Sequence, residues 1–493
     1  MTRPGTYIDG AWTSTDGAPV ITVVNPATEQ PFGEITTSTP AEVDAAVRSA
    51  ERALTDPAWA TLTVEDRIAI VERFAELVTE NAPELARLRS GSIGAPYKSS
   101  LTLSNAVGMI GMYLDSVRKV RFSDVRRDEY GDTYVARKPV GVVAGIVPWN
   151  VPVRNELRKT VPPILAGCTV VLKAAEESPL AAAMMMDLFT EAGLPPGVIN
   201  LVTGAADVGE ALVGHPAVRK IAFTGSTATG ARIAAVAGPQ LKRIQLELGG
   251  KSAAVVLPDA ELDEVLPSLL TFGFANSGQI CAALTRVVVP RAMHDDLVAG
   301  LVAGAAKHRV GDPMDEATTM GPLVSSTQRD RVLALIATGT AEGAQLATGG
   351  GVPAGLETGY YVEPTVFAGV ESSMTIAQEE IFGPVISVLP YDTEEEAIAI
   401  ANDSRYGLHG AVFSADPLHA LAVAERIDTG TCAVNGFDVP LSAPFGGVKS
   451  SGMGRENGVE GFDEYLEYHS YKLPAALAEE LDAQLAGAPG ATL

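Results

Sequence analysis

Apolar residues recur every three or four positions over residues 41–55 (AEVDAAVRSAERALT) and 64–90 (VEDRIAIVERFAELVTENAPELARLRS), which predicts amphipathic helices. A further helix is predicted near 100–119. The pattern then changes: RFSDVRRDEYGDTYVARKPVG alternates, carries many charges and contains a Gly-Asp turn, so it predicts an exposed hairpin. From Val140 onward, short apolar runs (VGVVAGIVPW, CTVVLKAA, VINLVTG, RKIAFTG) alternate with helical stretches, among them 181–192 and STATGARIAAVAG. The alternation resumes with KSAAVVL, a helix at 262–277, TRVVVP and the helical AMHDDLVAGLVAGAAKHRV. It continues through PVISVLPY, a helix at 393–401, GAVFSA and a helix at 417–428. Buried apolar runs separated by helices predict βαβ units with parallel sheets, an α/β fold.

A break near Gly249–Gly250 divides two such units. The hairpin near 120–139 and the strand-like EYLEYHSYKL at 464–473 belong to neither. Long exposed strands leave unpaired edges that invite pairing with another subunit. No internal repeat is present, and the small-residue tail LDAQLAGAPGATL is expected to fray.

Composition narrows the function classes. The 493 residues suggest roughly two to four structural units. With 46% apolar and 19% charged residues, wholesale disorder is excluded. Sixty acidic against 36 basic residues give a formal charge of −24, a field that repels nucleic acid and anionic membranes. Cys168, Cys281 and Cys432 are too few and too far apart for a disulfide framework and suit a reducing compartment. The N-terminus has no apolar core of signal-peptide length, and the best apolar run, 161–172, stops at Lys173, short of the roughly 20 residues of a spanning helix. A cytoplasmic location is therefore expected. The six His are scattered without metal-ligand spacing, so no metal is expected.

Several local patterns could carry chemistry. Cys281 lies in FANSGQICAAL, where Gly278 and small neighbours leave room for a ligand beside the sulfur; alone, it reads as a buried structural cysteine. Glu247, before two glycines in QLELGGKS, could act as a base; alone, it reads as a surface or capping carboxylate. FTGSTATG is a strand, a turn at Gly225 and Ser226, and a helix start, a geometry that can face an anion, although it is not a G-x-G-x-x-G fingerprint. Lys173 and Glu176 follow a strand, where open α/β sheets bind ligands or simply expose a charged loop. Asn150, in PWNVP, could donate to an oxyanion or cap a helix. PFGGVKSSGMGRE, at 444–456, is a glycine-rich loop ending in an acid.

Taken together these segments resemble the aldehyde dehydrogenase superfamily. The likeness runs through YIDGAW, NPAT, PWN, KAAEESP, FTGS, ELGGKS, GQIC, EEIFGP and PFGGVKSSGMGRE, about residues 7 to 472. Many motifs in one order are specific where each alone is not. The resemblance implies a doubly wound Rossmann-like cofactor domain, a second α/β catalytic domain and a small β oligomerisation arm. The implied boundaries are 1–119 with 140–249 for the NAD-binding domain, 250–450 for the catalytic domain, and 120–139 with 451–493 for the arm and C-terminal segment. A homodimer or homotetramer is expected.

It also implies roles. Cys281 would attack the aldehyde carbonyl, Asn150 and the Cys281 backbone N–H would hold the oxyanion, and hydride would pass to a nicotinamide to leave a thioester. Glu247 would activate the hydrolytic water, with Lys159 and Glu456 in support. For the cofactor, Gly225 and Ser226 would meet the pyrophosphate, Lys173 and Glu176 the adenosine ribose, and Glu380 the nicotinamide ribose beside Phe382. Ile146, Pro148 and Trp149 would frame the cleft. A carboxylate at Glu176 favours NAD, with NADP as the alternative.

The substrate pocket implied by the resemblance comprises Val151, Asn155, Arg158, Ile280 and Phe445. Arg154 and Arg158 are four apart and share a helix face. In succinate-semialdehyde dehydrogenases an Arg at the position of Arg158 grips the substrate carboxylate, aided by a second Arg six residues before the nucleophile. Here Ala275 stands at that second place. A neutral, hydrophobic aldehyde is therefore expected, with Arg158 in a salt bridge to a neighbour such as Glu156 or to a facing loop. The alternatives are an acid-semialdehyde dehydrogenase and a CoA-acylating relative.

Overall fold

β-branched and small apolar residues dominate the strands Val142–Ile146, Thr169–Lys173, Ile199–Val202 and Val218–Thr224, and these are buried almost throughout. Strands of this kind need helices on both faces. The computed structural model describes residues 2–102, 104–439 and 441–486. In it these strands form the centre of an eight-stranded sheet. Its order is Gly452–Met453, Arg243–Glu247, Val218–Thr224, Val142–Ile146, Thr169–Lys173, Ile199–Val202, Thr6–Ile8, Ala11–Thr13. The five central strands are parallel and the outer three pair antiparallel.

Strand Val142–Ile146 has Thr169–Lys173 on one side and Val218–Thr224 on the other. The chain therefore reverses its winding there, which opens a crevice at the carboxyl ends of these strands. One face is covered by helices Pro40–Ala53, Ala206–Gly214 and Thr227–Ala237, the other by Val64–Glu80, Ser104–Val117, Arg154–Ala166 and Pro179–Glu191. Thr39 starts the first of these through a reciprocal capping box with Glu42.

A second, seven-stranded sheet follows the two glycines. Its order is Gln345–Thr348, Thr365–Ala368, Val385–Tyr391, Leu284–Pro290, Ser252–Val256, Gly410–Phe413, Ala433–Val434, parallel except at the 345–348 edge. The 120–139 segment forms the hairpin Ser123–Asp128 and Gly131–Pro139. Strand Leu466–Leu473 adds to it, from Leu466 opposite Pro139 to Leu473 opposite Asp132.

Several elements differ from the sequence expectation. The 64–90 pattern is two helices, Val64–Glu80 and Ala82–Ile93, because Pro83 cannot continue an interior hydrogen-bond ladder and instead sits in a first turn. The helix expected near 100–119 is Tyr97–Leu101 and Ser104–Val117. The 262–277 helix ends at Gly273, and the 417–428 helix ends at Ala424. A small sheet of Thr2–Arg3, Pro31–Thr36 and Val20–Val24 and the helices Ala206–Gly214 and Ser326–Ala341 were not anticipated. The start of the tail, expected to fray, lies in helix Ala475–Ala486, and 487–493 lie outside the described residues. Among the described residues no helix is long and apolar enough to cross a membrane, and no cluster of His, Cys, Asp and Glu could hold a metal.

Candidate active site

The carboxyl ends of strands Val142–Ile146, Val218–Thr224 and Arg243–Glu247 open onto one cavity of about 1140 Å³, lined also by Phe272, Ile280, Cys281, Glu380, Phe382 and Phe445. Cys281 reaches it from a tight turn. Asn276, Ser277 and Gly278 hold successive left-handed conformations, with φ of 50°, 57° and 73°. Such backbone is costly for non-glycine residues and persists only where its surroundings fix it. Here Ser277 Oγ donates to Gly321 O (2.8 Å) and Gln279 Oε1 accepts from Val324 N (3.0 Å). A Cβ on Gly278 would lie 2.0 Å from Gly383 O, so only glycine fits. Gly250 has the same cause: a Cβ there would lie 2.3 Å from Cys281 O.

Asn150 is tied to this turn. Its Nδ2 donates to Gln279 O (2.9 Å), its Oδ1 accepts from Asn155 Nδ2 (3.2 Å), and its backbone O accepts from Asn276 Nδ2 (2.9 Å). The amide is thereby held beside the loop that carries the sulfur. Burial pushes the Cys281 thiol up to about 12, Glu380 adds to the shift and Arg158 opposes it. The sulfur therefore rests protonated, and the ionised nucleophile implied by the resemblance requires a proton acceptor within the cavity.

Two acids could serve. Glu247 ends its strand with both carboxylate oxygens buried and unpartnered, packed where a Cβ on Gly446 would come 2.5 Å from Oε1. Burial and then the charge of Glu456 hold its pKa well above the usual range, against the pull of Lys159 and Arg158. Glu456 differs. Lys159 donates to it in a buried ion pair, and Arg158 Nε lies 3.4 Å from its Oε2. Burial would raise this carboxyl, but the two cations and the Lys159 hydrogen bond hold it below the ordinary value. Reciprocal 2.7 Å backbone hydrogen bonds between Phe445 and Glu456 fix the loop. Glu156, a candidate partner for Arg158, is instead fully buried with both oxygens unpartnered and pushed up to about 7.

Another part of the cavity has a different character. Trp149 and Phe382 meet edge to face, 5.6 Å apart at 86°. Phe382 has φ 58°, and its carbonyl accepts from Gln328 Nε2 (2.8 Å). Glu380 Oε1 accepts from Gly250 N (3.1 Å), and burial pushes its carboxyl to about 7. A Cβ on Gly249 would sit 2.4 Å from Glu380 Oε2, so the double glycine seats this acid as well as the sulfur loop. Ser226 caps helix Thr227–Ala237, and with Gly225 it brings the N-terminal end of that helix to the cavity. An apolar slot joined to a helix N-terminus suits a flat ring and an anionic linkage.

The cavity gathers most of the expected residues: Cys281, Glu247, Asn150 and Glu456; Pro148, Trp149, Gly225, Ser226, Glu380 and Phe382; Val151, Asn155, Arg158, Ile280 and Phe445. Lys159 lies behind it, in contact with Glu456. Ile146 and Lys173 are not on its wall; they are register partners at adjacent strand ends. Burial lowers the Lys173 pKa, opposed first by the nearby Glu176. Glu176 itself is exposed beyond the cavity wall. Sequence reading missed Arg89, Gln328 and Arg331, which line the cavity from distant helices. Arg331 holds the carbonyls of Ile381 and Glu380 at 2.7 and 2.6 Å. No local pattern marks such residues.

Comparison with known proteins gives a consistent result. A sequence model described as the aldehyde dehydrogenase family matches residues 12–471. Geranial dehydrogenase of Castellaniella defragrans is 41% identical, across 95% of this chain and 98% of that protein. The crystal structure of a Mycobacterium tuberculosis aldehyde dehydrogenase with NAD+ superposes with a TM-score of 0.94 at 41% identity, covering 96% of this chain and 99% of that one. A mutant of aldehyde dehydrogenase C from Pseudomonas syringae, in complex with NAD+ and octanal, gives 0.92 at 42% identity, covering 95% and 96%.

Proposed function

This chain belongs to the aldehyde dehydrogenase family, and we propose that it oxidises its aldehyde through a thioester on Cys281, hydrolysed with Glu247 as the base. The observation that carries this reading is the convergence of a thiol, an amide and an unpartnered carboxyl on one cavity, with the amide fixed to the thiol's own loop. The thiol adds to the carbonyl carbon as its proton passes to the ionised form of Glu247, whose raised pKa makes it a stronger base than an ordinary carboxylate. Asn150 Nδ2 and the Cys281 N–H donate to the oxygen that gains charge. The residues fit NAD: Ser226 and Gly225 would hold the diphosphate, Lys173 and Glu176 the adenosine ribose, and Glu380 the other ribose, with Trp149 and Phe382 at the ring. When bound there, the nicotinamide supplies the acceptor for the hydride released as the adduct becomes a thioester. Glu247 releases the thiol's proton to solvent and then takes a proton from water, the water oxygen bonds to the acyl carbon, and the Cys281 sulfur leaves as the thiolate.

An NADH-absorbance assay over an aldehyde panel tests this. Cys281→Ser should lower turnover by about 10⁴-fold. A variant with near-native turnover would refute the assignment. NAD should exceed NADP in kcat/KM because the Glu176 carboxylate repels a 2′-phosphate. The exposed edge strands Ser123–Asp128 and Leu466–Leu473 favour a homo-oligomer, which sedimentation would show as a species of at least two chains.

A further inference from the structure

Four guanidinium groups line the cavity that holds Cys281: Arg154 and Arg158 from helix Arg154–Ala166, Arg89 from helix Ala82–Ile93, and Arg331, which is committed to the carbonyls of Ile381 and Glu380. Arg158 is committed to Glu456. Arg89 and Arg154 form no ion pair among the described residues, and each has a buried Nε without a hydrogen-bond partner. Among the described residues, the Arg89 side chain makes one hydrogen bond, from Nη1 to Ser100 Oγ (3.0 Å). Burial first, and then the charges of Arg158 and Arg89, lower the Arg154 pKa to about 10.

Four acids also line the cavity. Glu456 is satisfied by Lys159, Glu247 and Glu380 are shifted toward their protonated forms, and Asp438 is exposed. Arg89 and Arg154 are half-buried, and withdrawing even part of a guanidinium from water without a partner is costly. Planar guanidinium forks match the two oxygens of a carboxylate. The same cavity is lined by apolar groups, among them Phe272, Ile280, Phe437 and Phe445, and Phe272, Ile280 and Phe445 cluster with Cys281.

We propose that the substrate is an aldehyde with an apolar body and a carboxylate at its far end, held by Arg89 and Arg154. This rests on the reading of Cys281 as the aldehyde-oxidising nucleophile and names the substrate class of that site. It reverses the expectation of a neutral substrate. Ala275 does leave one cation out of the nucleophile loop, but Arg89 enters from a helix that nothing in the linear sequence connects to the pocket.

The test compares straight-chain ω-oxocarboxylates of about four to eight carbons with n-alkanals of equal length, in the wild type and in Arg89→Gln, Arg154→Gln and Arg154→Lys. The wild type should favour the ω-oxocarboxylates by about tenfold or more in kcat/KM. Each Gln substitution should cut that preference about tenfold through KM, and Arg154→Lys should keep part of it. Calorimetric titration with glutarate and adipate reads the carboxylate site without turnover, and Arg154→Gln should weaken that binding. Preference for the alkanal, a ratio unmoved by both Gln substitutions, or no dicarboxylate binding overturns the proposal. Dicarboxylate binding without oxidation of either series would instead sink the role of Cys281 and leave the carboxylate site standing.

Discussion

Glu247 and Glu456 enter one cavity from two regions, a strand end and a glycine-rich loop, and they are equally buried at 3% and 4% exposure. Their ionisation nevertheless diverges. Glu456 has Lys159 and Arg158 and is held below the ordinary carboxylate range. Glu247 has no hydrogen-bond partner among the described residues and is pushed well above it, by burial first and then by Glu456. Burial imposes a similar penalty on both, so the partner decides. The paired acid anchors the loop as a fixed charge, and the lone acid is left free to exchange a proton. Two carboxyls with their pKa values driven apart is how one site divides such tasks.

Glu247→Gln tests the lone acid and should have the largest effect. It keeps the shape and removes the titration, so steady-state turnover should fall about 10²- to 10⁴-fold. The first-turnover release of NADH should slow as well, because the same carboxyl takes the thiol's proton before hydride leaves. The urea midpoint should hold or rise, because an unpartnered buried carboxyl contributes no hydrogen bond. Turnover within threefold of wild type would break the contrast.

Lys159→Met tests the paired acid. Lys159 is fully buried, and its removal leaves Glu456 as an uncompensated internal charge. The expected loss of stability is about 3–5 kcal/mol in urea unfolding. Adding Glu456→Gln should restore much of it, and failure of that rescue would show that the lysine acts through packing alone.

The pH dependence of stability separates the two acids more finely. Above the ordinary carboxyl value near 4.5 the unfolded chain has released the proton that native Glu247 still holds. Its contribution is complete below that value and declines as pH rises through the native pKa, at up to about 1.4 kcal/mol per pH unit. Glu456 works in the opposite sense: its contribution is present above its unfolded value and is lost as acid carries the pH down through its lowered native pKa. Glu380 and Glu156, both near 7, slope as Glu247 does, so the informative quantity is wild type minus Glu247→Gln. Identical urea-midpoint profiles for the two proteins between pH 4.5 and 8 would refute the assignment.

The legible part of this molecule is what its local pattern encodes. Apolar runs marked the central strands, and the short motifs at their ends marked Asn150, Ser226, Glu247 and Cys281. The double glycine read as a turn, but its physical cause is contact: Gly249 makes room for Glu380 and Gly250 for the Cys281 carbonyl. Arg331 was illegible because its partners lie far along the chain, and Arg89 because only folding brings its helix to the cavity; neither position breaks a helical pattern. The opening sheet was missed because its strands run for only two to six residues, too short for alternation to register. The ionisation states were illegible too, since Glu247 and Glu456 each precede or follow glycines in similar local settings and differ only in what folding places beside them.

Arg158→Leu tests whether the two cations at Glu456 are equivalent, and it should have the smallest effect. Arg158 stands 3.4 Å from the carboxylate through Nε, and its side chain is 16% exposed, while Lys159 is fully buried and donates a hydrogen bond. Water therefore screens the arginine in part, and Lys159 is the larger of the two charges holding Glu456 ionised. The expected loss is about 1 kcal/mol. Some of that is packing, because the guanidinium lies 5.9 Å from the Phe445 ring centroid. A urea-midpoint loss as large as that of Lys159→Met would show that Glu456 depends on both charges together, and the distinction between a paired and an unpaired acid would then have to be drawn around three residues instead of two.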